Sequence, residues 1–281
     1  MTRAHAAVFG DPVGHSLSPA MHTAAYAALG LPWRYLKVRV PPASLPAALA
    51  MASRLGLAGV NLTIPLKERA LELMDILTPA ARRAGAVNTV SFMGGRMEGH
   101  STDGEGFLQS LAAGWGWSSR GARVVVLGAG GAARSVAFAL ADAGARRIMV
   151  VNRSPARAAA LARSLGDWRA AGRGLPSRAA DWRLMLANAD LLVNATPIGM
   201  HGGPSPVPAG ALARGLAVAD LVYNPARTAL LLAARARGCR AQNGEGMLVQ
   251  QGALALERWT HRRAPVEVMR GALREALNTL S

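Results

Sequence analysis

The stretch that most restricts the fold is residues 123–157, RVVVLGAGGAARSVAFALADAGARRIMVVNRSPAR. The short apolar run Val124 to Leu127 reads as a strand buried on both faces, the pattern of a parallel sheet. Gly128, Gly130 and Ala133 then fill the three small-residue positions of a G-x-G-x-x-(G/A) turn that opens a helix. The first permits the tight turn, the second lets the backbone approach a pyrophosphate, and the third packs the helix closely on the strand. Ala129, Gly131 and Ala132 complete the turn, and the helix N-terminus points its free amides at the phosphates. A second strand, Ile148 to Val151, ends in Asn152-Arg153-Ser154, with Arg157 one turn further on. Dinucleotide sites for NAD usually place an Asp or Glu at this strand end to hold the ribose 2′-hydroxyl. Here there is no acid, and two guanidiniums with a hydroxyl suit a 2′-phosphate. The pattern predicts a Rossmann-type unit that takes NADP rather than NAD.

A chain of 281 residues has room for two domains, each with its own core. The formal charge of +16 comes almost wholly from arginine, since Lys37 and Lys67 are the only lysines. These arginines are scattered, form no polybasic run and are not interleaved with aromatics, so no specific nucleic-acid partner is expected. Such a charge favours anionic ligands, including NADP and a carboxylate substrate. No apolar stretch is long and uncharged enough to span a bilayer, and the first residues carry no secretory h-region, so a cytoplasmic protein is expected. The single cysteine, Cys239, excludes an internal disulfide and a cysteine-based zinc cluster.

Around the dinucleotide unit the sequence reads as a split domain. Residues 4–10, 33–40 and 58–62 read as strands, and 86–92 with 97–101 as a strand pair across Gly94-Gly95-Arg96. Helices are expected at 19–29, with Ser18 as N-cap and Pro19 at the first helical position, and at 44–55, 65–77, 79–84 and 104–113. The dinucleotide unit continues as helix 155–165, a variable loop, strands 190–194 and 216–222, helix 226–237 and a short strand at 239–242. The last helices, 246–262 and 265–278, have no strand to follow and are expected to return to the first domain.

Candidate chemistry clusters in that first domain. Lys67 ends NLTIPLK (61–67), just after a strand and inside the first turn of a helix. An ammonium can give up its proton where a guanidinium cannot, which makes this retained lysine a candidate proton shuttle as well as a candidate surface residue. Asn61 and Thr63 alternate with apolar residues and lie on one side of the strand end. Asp103, in STDG (101–104), stands where a strand ends and a helix begins, as a functional carboxylate or a helix N-cap. Ser16 and Ser18, in HSLSP (15–19), offer two hydroxyls near a helix start, where a carboxylate is welcome. Asn88 and Thr89, in GAVNTV (85–90), add an amide and a hydroxyl. Together these groups suit a small polyhydroxylated carboxylic acid.

The runs SLSP-x-MH (16–22), NLTIPLK, AVNT (86–89), TDG, GAGGAAR (128–134), NRS (152–154), NATPIGM (194–200), DLVYNP-x-x-T (220–228) and NGEGMLVQQG (243–252) stand in the order and spacing of one family. The chain resembles the shikimate dehydrogenase family almost end to end. The resemblance implies an α/β fold: a Rossmann-type NADP-binding domain (104–242) and a discontinuous substrate-binding domain (1–103 and 243–281), with a cleft between them. It implies Lys67 and Asp103 as the catalytic pair, and Ser16 and Ser18 on the substrate carboxylate with Tyr223 nearby. Asn61, Thr63, Asn88 and Gln251 would bind ring hydroxyls or line the pocket. Thr196, Pro197, Met200, Leu221, Gly244 and Met247 would join the glycine-rich turn and the Asn152-Arg153 pair in binding NADP. No metal is implied, and the chain is expected to act as a monomer or homodimer. Ser101, Leu66, Asn243 and Glu245 depart from the family's commoner residues, and none belongs to the Lys67–Asp103 pair. Quinate-active members tend to carry Thr at the second serine and an acid at the second strand end, and Ser18 and Arg153 point away from them. An aminoshikimate-type substrate, or a catalytically silent sensor of NADP or shikimate, are the other readings; a silent sensor would be expected to lose Lys67 or Asp103.

Overall fold

The computed structural model describes residues 4–166 and 170–279. The chain divides into two compact units, Met1–Phe107 with Leu248–Ser281, and Leu108–Met247. The first unit begins with β1 (Ala4–Gly10), α1 (Ser18–Ala28), β2 (Arg34–Arg39), α2 (Leu45–Arg54), β3 (Gly59–Leu62) and α3 (Leu66–Arg69). It continues with β4 (Ile76–Leu77), α4 (Pro79–Ala84), β5 (Thr89–Met93) and β6 (Arg96–His100). These strands form one sheet in the order β2-β1-β3-β5-β6-β4. β1 runs parallel to β2 and β3, whereas β5 is antiparallel to β3 and to β6. Two-residue alternation along β1 sends Ala6 and Val8 into one core and Ala7 and Phe9 into another, so the sheet is covered on both faces.

The chain enters the second unit along α5 (Asp103–Trp115), followed by β7 (Arg123–Leu127), α6 (Gly131–Asp142), β8 (Arg147–Asn152) and α7 (Pro155–Ser164). Then come β9 (Ala170–Gly174), α8 (Ala179–Leu186), β10 (Leu191–Asn194), β11 (Ala217–Asp220), α9 (Ala229–Ala236) and β12 (Arg240–Gln242). The six strands are parallel in the order β12-β11-β10-β7-β8-β9. Numbered from β7, that is the 3-2-1-4-5-6 arrangement of a dinucleotide-binding sheet, with its topological switch between β7 and β10. The fold class read from the motif is the one observed.

Finally α10 (Glu245–Thr260) carries the chain back and α11 (Val266–Asn278) follows. Val249, Leu256, Trp259, Met269 and Leu273 from these helices pack with Val8, Met21 and Tyr26 in one core of the first unit. Three local expectations need correction. Ser18 is not the N-cap of α1: the helix starts at Ser18, Leu17 takes the cap position, and no side chain caps it. The expected helix 65–77 is instead α3, a 3₁₀ turn at Ala70–Leu73 and β4. The expected variable loop after α7 contains β9 and α8.

Candidate active site

Strand direction in the first sheet gathers the polar residues at one edge. Because β5 runs against β3 and β6, Asn61 pairs with Thr89 and Thr89 with His100. The ends of β3 and β6 therefore meet the start of β5. Lys67 follows β3 on α3, Asn88 precedes β5, and Thr102 and Asp103 follow β6. The backbone N–H of Val87 donates to the Lys67 carbonyl at 2.9 Å, tying α3 to the entry of β5.

The side chains complete one buried network. Lys67 Nζ donates to Asp103 Oδ2 at 2.5 Å, with side chains 16 % and 5 % exposed respectively. Asn88 Nδ2 lies 2.9 Å from Asp103 Oδ1, 2.8 Å from Thr102 Oγ1 and 3.3 Å from Gln251 Oε1. Its Oδ1 accepts the Thr102 N–H at 2.7 Å. Thr102 in turn donates its hydroxyl to the Gln251 carbonyl at 3.1 Å, and Gln251 Nε2 donates to the Leu248 carbonyl at 2.8 Å. Both carboxylate oxygens of Asp103 are thus held, so the group is a fixed acceptor. The ammonium uses one proton on Asp103, and its partial exposure leaves the others for an incoming oxygen.

Asn61 is more committed than its place on the strand suggested. Its Nδ2 donates to the Asn88 carbonyl at 3.2 Å and to Thr89 Oγ1 at 2.9 Å, while its Oδ1 accepts from the Tyr35 hydroxyl at 2.7 Å. Burial pushes the Tyr35 phenol well above its ordinary pKa, with the nearby Tyr26 adding to the effect and a hydrogen bond with Ser18 opposing it. Tyr35 therefore keeps its proton and links Ser18 to Asn61. Ser16 Oγ lies 3.3 Å from Ser18 Oγ and accepts the Ser18 N–H at 3.4 Å. Thr63 lies just past β3, its N–H bonded to the Phe9 carbonyl at 2.9 Å. His22 stacks on Tyr35 with centroids 4.2 Å apart, and burial pulls its pKa down to about 3, so the ring is neutral. Tyr223 belongs to the other compact unit. Sequence reasoning gave no role to Tyr35 or Thr102; the first sits in an ordinary strand pattern, while the second opens the Thr-Asp-Gly run and could have been assigned one.

In the second unit the residues expected to bind a dinucleotide lie at the carboxyl ends of the strands. Gly128 takes φ +112°, and a Cβ there would stand 2.8 Å from the Ala195 carbonyl oxygen, so the turns after β7 and β10 meet only because this residue is glycine. A Cβ on Gly130 would meet nothing within 4 Å, and Gly130 caps α6 without a side chain. The first amides of α6 thus have neither an intrahelical acceptor nor a capping side chain, which fits a pyrophosphate. Asn152 ends β8 and bonds the Ser154 carbonyl at 3.3 Å. Arg153 and Arg157 are exposed. The Ser154 hydroxyl accepts the Arg157 N–H at 3.4 Å as N-cap of α7, which leaves its own proton to give. Thr196, Pro197 and Met200 follow β10, Leu221 follows β11, and Gly244 and Met247 open α10. Gly244 lies against Leu221, with no room for a side chain. These residues fit NADP, with no carboxylate at the β8 end to oppose its 2′-phosphate.

The family described as the shikimate dehydrogenase substrate binding domain matches residues 8–90. Shikimate / quinate 5-dehydrogenase matches residues 111–198, and the shikimate 5′-dehydrogenase C-terminal domain residues 244–274. A shikimate dehydrogenase (NADP(+)) of Methanopyrus kandleri is 49 % identical over 96 % of this chain and 94 % of its own. The crystal structure of shikimate 5-dehydrogenase from Thermus thermophilus, in complex with NADP(H) and shikimate, is 45 % identical. It superposes with a TM-score of 0.87 over 98 % of this chain and 100 % of that one. Quinate dehydrogenase of Corynebacterium glutamicum in complex with NAD is 33 % identical, with a TM-score of 0.87 over 96 % of this chain and 97 % of its own. With matches of this extent in sequence and in fold, the chain belongs to the shikimate dehydrogenase family.

Proposed function

We propose that this chain is an NADP-dependent shikimate dehydrogenase that reversibly reduces 3-dehydroshikimate to shikimate. The observation that carries the reading is the Lys67–Asp103 pair, 2.5 Å apart and locked by Asn88 among groups suited to a polyhydroxylated acid. The first unit holds the substrate and the second holds the cofactor. NADPH, when bound, supplies the hydride for the keto carbon. As negative charge develops on the keto oxygen, the Lys67 ammonium donates a hydrogen bond to it, an electrostatic stabilisation strongest in the transition state. The proton that completes the hydroxyl comes from the Lys67–Asp103 pair, and in the oxidative direction it returns there. Asp103, fixed by Asn88, accepts from Lys67 and from the adjacent substrate hydroxyl.

Ser16 and Ser18 bind the substrate carboxylate, and Tyr35 holds Ser18 in line with Asn61. Gln251 and Thr63 complete the ring-hydroxyl side, while Asn88, whose amide protons go to Thr102, Asp103 and Gln251, lines it and holds Asp103. Asn61 lines it from behind, because both protons of its amide are already donated internally. On the cofactor side, Arg153 with Arg157 and Ser154 receives the 2′-phosphate. The deciding experiment assays the purified protein on shikimate and on quinate, each with NADP and with NAD. Shikimate oxidation with NADP is expected to dominate; activity confined to quinate with NAD would overturn the reading.

A further inference from the structure

Asp220 ends β11, is 1 % exposed, and is used by no step above. Its carboxylate accepts from Asn194 Nδ2 at 2.8 Å, from the Thr228 hydroxyl at 2.7 Å and from the Val222 N–H at 3.1 Å. Two of these donors organise a neighbouring segment. Asn194 Oδ1 accepts the N–H of Thr196 at 3.2 Å and its hydroxyl at 2.6 Å, and Asn194 Nδ2 also donates to the Ile198 carbonyl at 3.1 Å. Thr228 Oγ1 accepts the Leu231 N–H at 3.3 Å as the N-cap of α9. Burial pushes the Asp220 carboxyl above the usual carboxylate range, while Thr228, Val222 and Asn194 pull it back. A buried carboxylate is costly to retain, and an apolar side chain could fill the same volume. What it offers is two acceptor oxygens that serve three donors from two segments; a side-chain amide has one acceptor oxygen.

We propose that Asp220 is a positioning residue for cofactor binding, one carboxylate that fixes residues 195–200 through Asn194 and residues 221–228 through Val222 and Thr228. Thr196, Met200 and Leu221 are thereby presented to the dinucleotide in a single arrangement. The proposal rests on the reading of the second unit as the NADP-binding one.

The test compares wild type with Asp220→Asn, Thr228→Val and Thr228→Ser. It reads the NADPH dissociation constant by nicotinamide fluorescence, the shikimate KM at saturating NADP, and Tm. Wild type that fails to bind NADPH overturns the cofactor reading and this proposal with it. With wild type binding normally, Asp220→Asn is expected to weaken NADPH about ten- to a hundredfold, the scale of lost charge-assisted hydrogen bonds. Thr228→Val is expected to weaken it about three- to tenfold, Thr228→Ser to bind as wild type does, and the shikimate KM to stay within about twofold throughout. Folded Asp220→Asn that binds NADPH within about twofold of wild type overturns the proposal, as does a loss shared equally by both ligands and tracking Tm. Should Asp220→Asn fail to fold, the Thr228 pair decides: valine keeps the shape without the hydroxyl, and unchanged NADPH binding in Thr228→Val overturns the proposal.

Discussion

In the proposed mechanism most of the chemistry turns on Lys67, and its neighbours define what its removal should do. Lys67→Ala deletes a donor needed most in the transition state, so kcat should fall at least about a hundredfold while KM stays within about tenfold. Steady-state kinetics on folded protein checks this, and retention of most of kcat would make the lysine a bystander. At the proposed carboxylate anchor, Ser16→Ala or Ser18→Ala would remove a hydrogen bond to a charged partner, about 1.5–3 kcal/mol, and should raise the shikimate KM about ten- to a hundredfold. A normal KM in the double variant would place the carboxylate elsewhere. Arg153→Ala should raise KM for NADP by about one to two decades and KM for NAD much less, so the ratio of the two constants is the measurement. The meeting of Lys67, Asn88, Asp103 and Gln251 was legible in the sequence because motif residues sit at strand ends. The sequence could not reveal that Asn61 spends its amide inward or that Tyr35 joins Ser18 to it, because strand pairing brings together residues far apart in the chain. Ser18 misled for a local reason: serine before proline is a good helix cap, yet here its hydroxyl faces Ser16 and Tyr35.

Among the elements, α5 and α10 matter because they bring Asp103 and Gln251 to the same network. A Cβ on Gly106, in the first turns of α5, would stand 2.6 Å from the backbone N of Gln251. Alanine would gain helix propensity of about 1 kcal/mol at that position, but it would also force two helix backbones apart. Overpacking of this kind costs roughly 1–3 kcal/mol and should win, so Gly106→Ala is expected to lower Tm. By shifting Gln251 away from Asn88 it should also weaken shikimate binding while NADPH binding is kept, which calorimetric titration of each ligand separately would reveal. The long periodic helices and apolar strands were readable from pattern alone. β9 was not, since Ala170–Gly174 contains no β-branched or aromatic residue and owes its strand conformation to pairing with β8. Residues 70–77 departed from the expected helix for the opposite reason, a helix-like composition overridden by the pairing of Ile76 and Leu77 with β6.

For the whole molecule, two buried histidines contribute to the response to acid. Burial lowers the His22 pKa to about 3, and burial together with Arg258 lowers that of His100 to about 4, from 6.5 for the free side chain. Both bind a proton more readily in the unfolded chain, so their native-state contribution is intact above about pH 6.5 and is lost as the pH falls towards those values. Each adds a slope approaching about 1.4 kcal/mol per pH unit in that window. Neither ring nitrogen of His22 has a hydrogen-bond partner among the described residues. His22→Phe should therefore flatten the decline without forfeiting a bond, as urea unfolding across that pH range would measure. One unit is continuous from Leu108 to Met247 and the other is assembled from the segments on either side of it. That arrangement sets an order of events on the ribosome. The continuous unit is whole before α11 has been made, whereas β1 and α1 must wait for Leu256, Trp259, Met269 and Leu273 to close over Val8 and Tyr26. The earliest-made apolar surfaces of the first unit, on β1 and α1, are thus the last to be covered.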